Sequence, residues 1–101
     1  MPEEKTMFKD LDPILHSQLR LSIVSILMSV EEANFNFIKE ETQATSGNLS
    51  IQIKKLQEAG YIEVKKSFKN NYPNTSLSIT KKGMKAFENY VNNLKSYINP
   101  K

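Results

Sequence analysis

The sequence has no cysteine, a single histidine, only three glycines and no apolar run long enough to cross a bilayer. Without cysteine there is no disulfide framework, no thiolate zinc site and no cysteine nucleophile, whatever the compartment. One histidine, His16, leaves little for metal binding or for proton transfer near neutral pH, and it reads as a first-turn helix residue, packed or solvated. Three scattered glycines cannot build a phosphate cradle, and no serine has a credible histidine base. The acidic pairs Glu31-Glu32 and Glu40-Glu41 are adjacent in sequence, so their side chains diverge on a helix and suit a solvated face. An enzyme is not expected, and neither is a metal or a cofactor. A bilayer span needs about 20 apolar residues. The start Met1-Pro2-Glu3-Glu4-Lys5 lacks the basic-then-apolar layout of a signal peptide. The expected location is the cytoplasm, with no membrane partner.

What is present fits one folded domain: 101 residues, of which 39% are hydrophobic and 25% charged. The net charge of +3 hides an asymmetry. Residues 1–50 carry four basic against eight acidic side chains, whereas residues 51–101 carry ten lysines against Glu58, Glu63 and Glu88. Positive potential is thus concentrated in the second half, as on a face that meets a polyanion.

Residues 1–11 read as a loose arm able to order against a domain spanning 12–98, with 99–101 as a tail. Asp12-Pro13 can open a helix, since aspartate caps orphan N–H groups and proline at the first position loses no hydrogen bond. That helix is predicted from about Pro13 to Val30, with Leu15, Leu19, Ile23, Ile26, Leu27 and Val30 on one buried face. Glu31 to Asn36 is a connection in which Phe35 can form a one- or two-residue strand, and Asn36 is a plausible cap for a short helix ending near Thr42. Gln43-Ala44-Thr45 is a tight turn, Thr45 or Ser46 caps a third helix through Ala59, and Gly60 ends it in the left-handed conformation. A strand from Tyr61 to Phe68 places Ile62, Val64 and Phe68 on one side, interrupted by Lys66. A turn-rich stretch, Lys69 to Asn74, precedes a second strand from Thr75 to Ile79. Thr80 caps a last helix reaching about Ile98.

This order of elements, with the strings Gly47-Asn48-Leu49-Ser50, Lys54-Lys55-Leu56-Gln57-Glu58-Ala59-Gly60-Tyr61-Ile62 and Leu77-Ser78-Ile79-Thr80-Lys81-Lys82-Gly83, resembles the small winged helix-turn-helix regulators related to the MarR and ArsR groups. The last string is similar to their closing strand and Leu-Thr-x-x-Gly helix entry, and together the strings cover roughly residues 13–98. The resemblance implies an α+β fold, mainly α with a small β-hairpin and an extended C-terminal helix. It also implies a dimer that sets the third helix in the major groove of double-stranded DNA and the hairpin wing on the backbone or minor groove. The metal-sensing members hold their effector with cysteines and clustered histidines that this chain lacks, so a metal sensor is not expected. The sequence names no small-molecule effector.

At about 100° per residue, Leu49, Ile53 and Leu56 form the core side of the third helix. Gly47, Ile51, Lys54, Lys55 and Glu58 lie opposite, with Asn48 and Ser50 on the flanks. Polar groups there suit base edges, the lysines suit phosphates, and Gly47 allows close approach. Thr45, Ser46 and the first-turn N–H groups can also hold a phosphate. Lys65, Lys69, Asn70 and Asn71 are the expected wing contacts. A self-complementary surface is expected from Met84, Phe87, Val91, Leu94 and Ile98, spaced like a coiled-coil seam and flanked by Tyr90 and Tyr97. Leu21, Val24 and Met28 of the first helix lie outside its core stripe and join that surface. The function expected is sequence-specific, repressor-like transcription regulation by a homodimer. Its rival is a winged helix used for protein–protein contact, and a structural subunit of a larger complex is a third reading.

Overall fold

The computed structural model describes residues 7–99, in the order α1 (Gln18–Met28), β1 (Ala33–Asn34), α2 (Phe35–Thr42), α3 (Ser46–Glu58), β2 (Ile62–Lys69), β3 (Tyr72–Ile79) and α4 (Lys81–Ile98). Each helix begins on a side-chain oxygen that takes up an orphan backbone N–H: Ser17 for Arg20, Asn34 for Phe37, Thr45 for Asn48 and Thr80 for Gly83. Thr45 and Thr80 are the caps expected from sequence; the other two are not. Asp12-Pro13 opens a turn rather than α1, with Asp12 Oδ1 accepting from the Ile14 N–H at 2.8 Å. The Arg20 side chain donates to the carbonyls of Ile14 and Pro13, occupying acceptors that a continuous helix would offer to its own backbone. Asn34, not Asn36, caps α2, because pairing with Ser76 holds it in the extended conformation a cap requires, and the small strand falls on Ala33–Asn34 rather than on Phe35.

The sheet order is β1-β3-β2, antiparallel throughout, with Ala33 opposite Leu77 and a hairpin register running from Ile62 opposite Ile79 to Lys69 opposite Tyr72. Asn70 and Asn71 both take positive φ, 51° and 69°, as a two-residue hairpin turn requires. The loop expected over Lys69 to Asn74 therefore shrinks to two residues, and the strands lengthen. Pro73 is tolerated because the short β1 leaves that end of β3 unpaired on one side.

Leu15, Ile23, Val24, Leu27, Ile38, Leu49, Ile53, Leu56, Ile62, Leu77 and Tyr90 form one core, each large apolar side chain contributing roughly 1.5–3 kcal/mol of burial. Val30 lies beyond the end of α1 and is exposed, and Phe68 stands far out on the hairpin at 74% exposure, so neither joins that core. Residues 9–11 lie along α4: the Lys9 N–H donates to Ser96 Oγ, Asn93 Nδ2 to the Asp10 carbonyl and the Tyr97 hydroxyl to the Lys9 carbonyl, while Leu11 packs on the core. The rest of the expected arm, residues 1–6, and the tail residues 100–101 lie outside the described residues. Among the described residues no helix is long and apolar enough to cross a membrane.

Candidate nucleic-acid interface

The turn between α2 and α3 uses Gln43 in the left-handed conformation, φ 60°, and then Thr45, whose extended backbone and side-chain oxygen start α3. Ile38 of α2 and Leu49, Ile53 and Leu56 of α3 enter the core, which fixes how α3 is rolled. Thr45, Ser46, Gly47, Asn48, Ser50, Ile51, Lys54 and Lys55 are consequently all exposed. Ile51 is 56% exposed, and a Cβ at Gly47 would meet no atom within 4 Å.

The hairpin is joined to this helix at its base. Ile62 and Leu77 are buried in the core, β2 packs against α3, and Ser50, Lys54 and Gln57 of α3 line one groove with Val64, Lys66 and Thr75 of the hairpin. Side chains alternate along a strand. Lys66 therefore shares the side of Val64 that faces α3, while Lys65 and Lys69 stand on the other side, all three exposed. Asn70 and Asn71 form the turn itself, where asparagine tolerates positive φ better than most residues. Strand alternation alone reads Lys66 as an interruption of an apolar side and does not reveal that it completes this groove.

Gln52 and Arg20 also escape a reading of the sequence. Arg20 Nη1 donates to Gln52 Oε1 at 2.5 Å, and Gln52 Nε2 donates to Asn48 Oδ1 at 3.0 Å. The spacing of Asn48 and Gln52, four residues apart on a helix, is the one signal that points to this pair.

The residues of α1 and α4 expected to meet a second copy divide into buried, half-buried and exposed groups. Val24 is completely buried and Tyr90 is 5% exposed, so both belong to the chain's own core and have no surface to offer. The Tyr90 hydroxyl lies 3.1 Å from Nδ1 of His16, which is exposed in the turn before α1 rather than in the helix. Leu21, Phe87 and Leu94 are half-buried against the core, and the Tyr97 ring packs, tilted, on Phe8 with ring centroids 5.2 Å apart. Met84, Val91 and Ile98 remain exposed, seven residues apart along α4, and Met28, Phe87 and Val91 line a shallow hollow.

The described geometry has clear counterparts. The family described as winged helix DNA-binding domain matches residues 19–98. An uncharacterised protein of Methanocaldococcus jannaschii is 41% identical over 78 residues, covering 77% of this chain and 85% of that one. The solved structure of a transcriptional regulator homologue from Pyrococcus horikoshii is 30% identical, with a TM-score of 0.80 and 86% of each chain covered. A solved structure from Thermoplasma acidophilum shares the fold at 21% identity, with a TM-score of 0.71 over 87% of this chain and 90% of that one. With an outward-facing α3, a basic hairpin beside it and this match along most of its length, the chain belongs to the winged helix DNA-binding domain family.

Proposed function

We propose that the chain regulates transcription, in a repressor-like manner, as a cytoplasmic homodimer bound to specific sites on double-stranded DNA. In this reading α3 enters the major groove and the β2–β3 hairpin follows the backbone or minor groove. The observation that carries it is the groove shared by Ser50 and Lys54 of α3 with Lys66 and Thr75 of the hairpin, which sets two basic, hydrogen-bonding surfaces side by side. Lysines supply phosphate contacts, which give affinity and register, while the first turn of α3 supplies short polar groups for base edges. The exposed heptad of Met84, Val91 and Ile98 is the surface for the second copy.

The test is a titration of labelled duplex DNA across a salt series. Association should weaken steeply with salt, because each neutralised phosphate releases counterions. Absent or salt-insensitive binding would support a protein–protein contact module instead.

A further inference from the structure

We infer that Gln52 sets the base preference of Asn48, leaving the Asn48 amide to donate, so that the first turn of α3 selects against cytosine at one position. The inference rests on the DNA-binding reading and adds to it the polarity of one contact.

The polarity follows from chemistry. The Arg20 guanidinium carries only donors. It spends Nε on the Ile14 carbonyl at 2.6 Å, Nη2 on the Pro13 carbonyl at 3.4 Å and Nη1 on Gln52 at 2.5 Å. Gln52 can therefore present only Oε1 to Arg20, which turns its Nε2 toward Asn48. Asn48 in turn must present Oδ1 to that N–H, 3.0 Å away. The remaining end of the Asn48 amide is Nδ2, on an exposed side chain in the first turn of α3. Three residues on two helices thus fix one direction of hydrogen bonding, anchored at the turn before α1.

In the major groove, guanine offers acceptors at N7 and O6 and thymine an acceptor at O4, whereas cytosine offers the N4 donor. Asparagine usually reads adenine with both ends of its amide, accepting from N6 while donating to N7. Gln52 takes one of the two lone pairs of Oδ1, so adenine stays readable, and the donor end suits guanine, thymine and adenine N7 but finds no acceptor on cytosine.

The experiment is selection from a random duplex pool with four proteins: wild type, Gln52→Glu, Gln52→Leu and Asn48→Ala. A carboxylate at position 52 still accepts from Arg20 but cannot donate, so Asn48 turns Nδ2 inward and Oδ1 outward. Gln52→Glu should then move the preference at one position from guanine or thymine toward cytosine, by about fivefold or more. Gln52→Leu frees the amide to turn either end outward and should readmit cytosine, and Asn48→Ala should erase the preference there. Selection reads relative preference among bound sites, so a general loss of stability or affinity does not imitate these shifts. Duplex binding with the same base preferences in wild type and Gln52→Glu would overturn this inference alone. No duplex binding by wild type would overturn the DNA-binding reading and this inference together.

Discussion

The Tyr61 hydroxyl donates to Asp12 Oδ2 and so ties the corner after α3 to the turn before α1, across 49 residues of sequence. Burial and the neighbouring carboxylate push the phenol up from 10.0 to about 12. A group whose folded pKa is raised stabilises the fold fully below its unfolded value, and that contribution is lost as pH rises through the folded value. Tyr61→Phe should therefore lower stability by about 1 kcal/mol at neutral pH. Urea midpoints for the two proteins should differ by a constant amount up to about pH 10, and the gap should close as pH rises from there toward about 12. A gap that persists above that range would show that the hydroxyl acts through something other than this bond.

Two glycines should behave oppositely. A Cβ at Gly83 would collide with the Tyr61 carbonyl oxygen, which also accepts from the Thr80 N–H. Gly83→Ala must force α4 off that corner, at a cost of about 3 kcal/mol or more. Gly47 has open space around its Cα, so Gly47→Ala should leave stability unchanged or raise it by up to about 1 kcal/mol. Thermal melts of both variants decide the matter, and a melting temperature for Gly83→Ala equal to that of wild type would contradict the close approach.

Much of the fold is legible in the sequence because the signals are local: Thr45, Gly60 and Thr80 mark helix ends by their own chemistry. What escapes depends on distant partners. The start of α1 is set by Arg20 reaching back to the Pro13 and Ile14 carbonyls, which no propensity at Asp12-Pro13 reveals. Val24 falls outside the single buried stripe that periodicity predicts, whereas α1 packs against α2, α3, α4 and β3 and buries more of its circumference. The outer face of α3 follows from periodicity alone, but its link to Arg20 crosses 32 residues and has no sequence signature.

Light scattering at micromolar concentration should give a particle of twice 11.6 kDa. Met84, Val91 and Ile98 are 40%, 36% and 68% exposed, which leaves a continuous apolar line on α4 for a second copy. Val91→Glu should yield monomers while retaining the helical content of the domain, because Val91 lies outside the core. A monomeric mass for the wild-type protein would end the homodimer proposal.

Replacing Lys54 and Lys55 together with alanine should weaken binding to every duplex by similar factors. Phosphates look alike at each base pair, so these lysines carry no sequence information. The slope of log affinity against log salt should flatten by about 0.9 for each phosphate that is no longer neutralised, and Lys69→Ala should remove about one such step. An unchanged slope in the double variant would take both lysines out of the footprint.

Ile51 stands on the outer face of α3 at 56% exposure, between polar and basic neighbours and away from Leu49 and Ile53. Burial contributes little to the fold there, and the thymine methyl in the major groove offers this side chain an apolar partner. Ile51→Ser should keep the melting temperature of the parent while reducing preference for one thymine-containing position, at a cost on the order of 1 kcal/mol. Comparing the base preferences of Ile51→Ser and wild type in one selection experiment separates this effect from that of Gln52, since the two side chains project from different sides of α3 and should act on different positions. If both proteins select identical sites, Ile51 is an isolated surface isoleucine with no part in recognition.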